Sequence, residues 1–200
     1  IIYKNMNINF ATRQLIRSSS RGYLSTQFNP KNFKKSNLKF SFPYSTFSIA
    51  AFDYDLSPIL LLSDLSEHTT NIKNNSYVSI MFCEEKKMYN YFPEFKNKIK
   101  LINYEDPMSR PRVTLIGKLS ITKKKIHKER FLSRHPAARL YSNFSDMNFY
   151  KLKIDSAHLV GGFAHVKWFK RNDLILTKIS NFEKNEALIM DHMNNHHQKS

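Results

Sequence analysis

The residue types best suited to chemistry fall into three stretches. In "PILLLSDLSEHTTNIKNN" (58–75) an apolar run stops at Ser63 and Asp64 and gives way to Ser66, Glu67, His68, Thr69, Thr70 and Asn71. A strand that hands over to a capped helix presents unpaired backbone N–H groups at the helix start. With the hydroxyls of Ser63, Ser66 and Thr69 these suit an anionic cofactor group; the handover alone is the simpler reading. In "LVGGFAHVKWF" (159–169), Gly161 and Gly162 allow the backbone to approach a flat ligand closely. Phe163 and Trp168 supply apolar surface there, and His165 and Lys167 supply polar and cationic ends. A β-bulge at a barrel corner accounts for the same glycines. In "DHMNNHH" (191–197), His192 and His196 have the helical i, i+4 spacing of a transition-metal pair, with His197 beside them.

Other chemistries find little support. Only four glycines occur, Gly22, Gly117, Gly161 and Gly162, where average usage would give about fourteen. Neither G-x-G-x-x-G nor a Walker loop is present, which argues against Rossmann dinucleotide and P-loop nucleotide enzymes. There is no G-x-S-x-G, no H-E-x-x-H, and acids are too sparse and scattered for a paired-carboxylate hydrolase. The single cysteine, Cys83, excludes an internal disulfide framework and a cysteine-based zinc site, and fits a reducing compartment. His127, His135 and His158 sit among basic or surface-like residues and read as structural. What remains is a site of backbone, hydroxyls and basic groups, the kind that holds a preformed cofactor which does the hard chemistry.

The charge is lopsided: 32 Lys and Arg against 16 Asp and Glu, a formal +16. This raises affinity for nucleic acid, anionic lipid or a polycarboxylate ligand without choosing among them. The lysines are scattered as a chain-wide bias would place them, so nucleic acid is not the expected partner. No run of eighteen apolar residues occurs, and no membrane span is expected.

The elements that must position these residues can be read along the chain. Residues 1–52 contain no acid, and "ATRQLIRSSSRGYLST" is Arg- and Ser-rich like an organellar transit peptide. The preferred reading is a helix over 11–18 and a first strand over 22–27, with a cytoplasmic location and an organellar one as the alternative. A Lys- and Asn-rich loop (29–39) precedes a long β-type run, "FSFPYSTFSIAAF", in which Pro43 marks an edge position or bulge. "DYDLSP" is a turn and 59–63 the partner strand of a hairpin. A helix over 65–73 follows, with Asp64 and Glu67 spaced as a capping pair, and "YVSIMFC" is the next strand. Residues 84–102 form a surface insertion. "RVTLIGKLSIT" is a strand ending in "KKKIHKER", "KERFLSRHPAARLY" makes two short helices around Pro136, and "MNFYKLKIDSAHLVGGFAHVKWF" is the last β stretch. The tail "NEALIMDHMNNHHQKS" is helical. Antiparallel-type strands with a few helices, and no strand–helix–strand alternation, predict a mainly-β barrel with flanking helices.

Four segments then carry a family resemblance: "FPYSTFSIAAFDYDLSPILLLSDLSEHTTNIKNN" (42–75), "DPMSRPRVTLIGK" (106–118), "RFLSRHPAARLYSNFSDMNFYKLKIDSAHLVGGF" (130–163) and "DHMNNHH" (191–197). In order and spacing they resemble the haem-utilisation (HugZ-type) branch of the pyridoxamine 5'-phosphate oxidase-like, FMN-binding split barrels, over residues 10–197. The resemblance implies a six-stranded antiparallel split β-barrel over 10–178, a homodimer with its cofactor site at the subunit interface. Residues 1–9 become an N-terminal extension and 183–200 the truncated start of a C-terminal helical module. Members of the haem branch bind haem and degrade it oxidatively, releasing iron, with an electron donor. An FMN-dependent oxidoreductase and a non-catalytic basic binding module on the same fold are the alternatives.

The resemblance also discriminates between cofactors. In the flavin oxidases an R-x-V-L-L-K strand and a later S-R-K hold the FMN phosphate. Counting without gaps from "VSIMF", the S-R-K positions fall on Ser66, Glu67 and His68, and the Arg and Lys of the strand motif on Thr46 and Ala51. Every phosphate-facing cation is replaced. Each lost charged hydrogen bond is worth about 1.5–3 kcal/mol, so haem ranks above FMN. The branch's tail motif H-M-N-x-D-H aligns with His192 to His197, with His196 in the Asp position. His192 and His197 are then the candidate haem-iron ligands and His165 the third, while Arg112 and Lys167 are cations for the propionates. Ser63, Ser66, His68, Thr69, Asn71, Gly161, Gly162, Phe163 and Trp168 complete the cofactor-binding set.

Overall fold

The computed structural model describes residues 8–30, 40–83, 110–161, 166–175 and 185. The elements run α1 (Ile8–Ser18), β1 (Arg21–Phe28), β2 (Phe42–Phe52), β3 (Pro58–Ser63), α2 (Glu67–Asn74), β4 (Tyr77–Cys83), β5 (Arg112–Ile121), α3 (Lys125–Arg134), a 3-10 turn (Pro136–Leu140), β6 (Met147–Val160), β7 (Val166–Lys170) and α4 (Arg171–Leu174). The expected insertion at 84–102, the Lys/Asn loop at 29–39 apart from its first two residues, and the tail beyond 185 lie outside the described residues.

All strand pairs are antiparallel, in the order β3-β2-β1-β4-β5-β6-β7. A further antiparallel ladder joins β3 to β6, from Ile59↔Lys151 to Ser63↔Met147, and closes six strands into a barrel. β7 is an added flap beside β6. This is the split barrel that the strand count and the resemblance led one to expect.

Period-two alternation explains the walls. β1 and β5 bury every second residue, so Leu24, Val113, Leu115 and Leu119 point inward. β3 is buried along Pro58 to Leu62 because α3 covers its outer face: Ile59 and Leu61 join Phe131, Leu132 and Ala138 in a second small core. α1 plugs the main core with Ala11, Leu15 and Ile16, at helical spacing. Its C-terminal carbonyls, Ser18 and Ser19, each accept from the Arg134 guanidinium at 2.8 Å. Gly117 sits at the register shift between β5 and β6, where a Cβ would overlap the Lys153 carbonyl oxygen.

Two expectations need correction. The helix after β3 starts at Glu67, capped by Ser66 rather than by an Asp64/Glu67 pair, and no side chain closes that cap. The reason is that the β3–β6 ladder continues through Ser63, whose hydroxyl donates to Asp146, while Asp64 is drawn to Asn148 and Lys73. α3, in turn, reaches back to Lys125, into the lysine run that read as a strand end. Pro43 behaves as expected. It pairs with Gln27 on β1, while the β2–β3 ladder begins only at Ala50.

Candidate functional site

The α2 corner carries five of the predicted site residues, Ser63, Ser66, His68, Thr69 and Asn71. Ser63 ends β3, and its Oγ also accepts from the Leu65 N–H at 3.1 Å, forming the turn into the helix. On α2, Thr69 and Asn71 are buried. Asn71 Nδ2 donates to Thr26 Oγ1 on β1 at 3.1 Å. The side chains of His68 and Thr46 meet, with Nδ1 to Oγ1 at 3.3 Å. These are the positions that the gap-free count assigned to two different phosphate-binding motifs, and the fold brings them into contact. Burial pushes the His68 imidazole below its ordinary pKa, so it is neutral at pH 7.

Several polar atoms in this corner are buried and have no hydrogen-bond partner among the described residues: Glu67 Oε1, His68 Nε2, Thr69 Oγ1, Asn71 Oδ1 and, on β6, Tyr150 Oη. Burial, and then the Asp64 charge, push the Tyr150 phenol up. An FMN phosphate carries nearly two negative charges and calls for cations. The corner offers a neutral imidazole, a glutamate and hydroxyls, so these residues do not fit an FMN phosphate.

At the β2–β3 turn the carboxylate oxygens are, by contrast, all partnered. Asp53, buried, accepts from His127 Nε2 at 3.1 Å, from Arg130, from Lys151 and from the Tyr54 N–H at 2.9 Å. His127 Nδ1 contacts Thr122 Oγ1 at 2.6 Å, and the Arg130 guanidinium lies 3.7 Å over the Tyr54 ring. Asp55 pairs with Lys151 at 3.4 Å and Arg171 at 3.1 Å. Burial raises the Asp55 pKa, but the Ser57 hydrogen bonds and then the Lys151 and Arg171 charges outweigh it, leaving the carboxyl below its ordinary value. The cluster ties α3, α4 and β6 to one turn whose Leu56 adopts φ 62°. The structural reading of His127 holds, though it is buried rather than surface-like. His135 is structural too, its Nε2 meeting the Ala50 carbonyl at 2.9 Å.

A third feature was not read from the sequence. The ladders align Phe47, Tyr23, Met81, Thr114, His158 and Trp168 in one row across β2, β1, β4, β5, β6 and β7. Phe47, Tyr23 and Trp168 are each more than half exposed, and the three between them are half-buried. His158 and Trp168 stack with centroids 4.4 Å apart and planes at 21°. The only sequence signal was the alternate outward positions of each strand, and the cross-strand register that joins them is not visible in one chain's letters.

The remaining site residues divide. Lys167 approaches Asn9 Oδ1 at 3.2 Å and the Phe169 ring at 4.9 Å. Arg112 begins β5 opposite Cys83 and Val160, and its guanidinium donates to the Arg110 carbonyl at 3.4 Å. Gly161 is buried at the end of β6. Gly162, Phe163, His165, His192 and His197 lie outside the described residues. Ser63 faces Met147 and Trp168 faces His158, so the α2 corner and the Lys167–Trp168 edge sit at opposite ends of β6, roughly 36 Å apart along the strand at about 3.3 Å per residue. Among the described residues, one chain does not bring the two halves of the predicted site together. Among the described residues no group of three or more His, Cys, Asp and Glu could hold a metal ion, and no helix is long and apolar enough to cross a membrane.

The comparisons with known proteins agree with this architecture. The family model described as CREG, beta-barrel matches residues 5–174. No curated protein matches the chain in sequence. A haem-binding protein from Mycobacterium smegmatis superposes with a TM-score of 0.67 at 19% identity, over 85% of this chain and 60% of that one; the chain thus spans about three-fifths of that protein's length. A protein of unknown function from Agrobacterium tumefaciens gives 0.68 at 20% identity, over 96% and 70% of the two chains. ChuZ from Campylobacter jejuni gives 0.60 at 15% identity, over 86% and 63%. At such identities the likeness is one of fold. A matched model covering most of the chain, together with the closed barrel, shows that the protein belongs to the CREG beta-barrel family of split-barrel proteins.

Proposed function

We propose that the protein binds haem in a composite site formed between two copies of the chain. The observation that carries this is the α2 corner. Where a flavin phosphate would need cations, the fold puts Glu67 and a His68–Thr46 contact, and it leaves buried hydroxyl, amide and imidazole atoms without partners. The mycobacterial haem-binding protein of the same fold supports the choice of haem. The outward row of Phe47, Tyr23, Met81, His158 and Trp168 supports the dimer. It is a half-exposed row that a second copy would cover, bringing a Trp168 edge to the partner's α2 corner.

In this reading His192 and His197 supply the axial imidazole, with His165 as the third candidate, and Arg112 and Lys167 pair with the propionates. Haem, when bound, supplies the iron and its oxygen chemistry. The chain orients the ring, neutralises its carboxylates and limits water. Oxidative degradation is the activity that the family resemblance adds.

The test is titration of the purified protein with haemin and with FMN, following the Soret and flavin bands. The expected result is a Soret shift that His192→Ala or His197→Ala abolishes, with no flavin binding. Flavin binding without a Soret shift overturns the reading, and no binding of either leaves a non-catalytic module. Decay of the Soret band on adding ascorbate reads out turnover.

A further inference from the structure

The α3 side of the barrel carries a surface that neither the core nor the composite site uses. α3 opens on Lys123, Lys124 and Lys125, with Lys128 one turn further and Arg139 on the following 3-10 turn. Lys123, Lys124, Lys125 and Arg139 are exposed and Lys128 is half-buried. Arg130 and Arg134, also on α3, are turned to Asp53 and to the end of α1. Among the described residues the acids near this surface are few: Glu129 pairs with Lys125 at 3.5 Å, and Asp146 is turned to Ser63.

Local stability does not explain the arrangement. The first turn of α3 has no acidic residue, Lys124 makes no side-chain cap, and three lysines stand at the positive end of the helix. Apolar side chains interrupt the cations: Ile121 is 50% exposed, Ile126 38%, Leu140 82% and Phe144 61%. Lys128 Nζ donates to Asn143 Oδ1 at 2.8 Å and holds the turn bearing Phe144 beside α3, so the exposed cations and apolar groups of 121–144 lie on adjoining segments, a band of chain on this side of the barrel.

We propose that this band docks peripherally on an anionic lipid bilayer. Lysine ammonium groups meet the headgroup charges while Ile126, Leu140 and Phe144 enter the interface. Aliphatic side chains favour a bilayer over a nucleic acid, whose surface takes stacking aromatics and arginine forks instead. Each cation at a phosphatidylserine-rich surface contributes about fivefold in affinity. The proposal does not rest on haem binding.

The experiment is co-sedimentation of the full chain with vesicles of phosphatidylcholine, with and without phosphatidylserine, at low and high salt. Binding is expected only with phosphatidylserine and weakens with salt. The triple variant Lys123→Glu, Lys124→Glu, Lys125→Glu should bind more weakly by at least about a hundredfold, the loss of three cations, since each substitution also adds a repelled acid. It also places acids at the positive helix end, so a thermal melt is expected to show it folded. A control triple, Lys118→Glu, Lys153→Glu, Lys170→Glu, makes the same charge change on the barrel strands and should lose far less. Leu140→Ser with Phe144→Ser should weaken binding at unchanged charge. Equal losses in both triples would overturn the proposal, because binding would then follow overall charge. So would insensitivity to the Leu140/Phe144 pair, or full displacement by a DNA duplex with no loss in the α3 triple.

Discussion

Two polar clusters lie at the barrel's margins and are built on opposite principles. At the β2–β3 turn, Asp53 and Asp55 are surrounded by His127, Arg130, Lys151 and Arg171, and every carboxylate oxygen has a partner. At the α2 corner, Glu67, His68, Thr69 and Asn71 each keep a buried atom without one. A saturated buried network holds a fold together, whereas an unsaturated one costs free energy that folding alone does not return. The difference makes the first cluster architectural, and it is the ground on which the second is proposed as the functional corner.

The comparison breaks most readily at Asp53. Asp53→Ala would remove the buried carboxylate that His127, Arg130 and Lys151 share, leaving Asp55 to Lys151 alone among the three, and should cost about 3–5 kcal/mol in a urea melt. A loss under 1 kcal/mol would mean that the cluster is not the clamp its geometry indicates. The next effect is a gain. Glu67→Arg with His68→Lys restores cations to the flavin-phosphate positions, and each charged hydrogen bond that forms should add about 1.5–3 kcal/mol to FMN affinity. Quenching of flavin fluorescence reads it, and no gain would show that the corner no longer has the flavin geometry.

The smallest effect is on pH dependence, and it separates the clusters by window. Asp55 titrates below its ordinary 3.8, so its contribution is fully present above that pH and is lost as pH falls through the lower folded value. His68 titrates below its ordinary 6.5. Between the two values the unfolded chain binds the extra proton, so stability falls once pH drops under about 6.5. Asp55→Asn should flatten the strongly acidic limb of a stability profile and His68→Gln the mildly acidic one. If either variant flattened both limbs, the two corners would be coupled.

Much of the barrel was legible because it rests on local signals. The runs "YVSIMFC" and "RVTLIGKLSIT" marked β4 and β5, Pro136 marked the second short helix, and the family resemblance favoured α1 and β1 over a transit peptide. The α2 start was misplaced because Asp64 and Glu67 mimic a local cap, whereas the β3–β6 ladder, which spans 84 residues from Ser63 to Met147, claims Ser63. The Asp53 cluster was missed for the same kind of reason, since its partners lie 74, 77 and 98 residues away. The α2 corner was found early because its unusual residues are contiguous in the chain and family spacing aligned Thr46 with it. The outward aromatic row depends on five separate registers, and no single segment carries it.

The β3–β6 closure also bears on how the chain reaches its fold. β1 to β5 can pair in turn, but β3 must wait for β6, so the barrel seals only through a contact that is distant in sequence, the kind that forms slowly. Until then β3 presents "PILLLS", an uncharged apolar strand with an open edge, the sort of template on which chains stick to one another. The polar stop at Ser63 and Asp64 limits that exposed run to six residues. Anything that delays β6, a destabilised Lys151 clamp included, lengthens the time for which chains are open to aggregation.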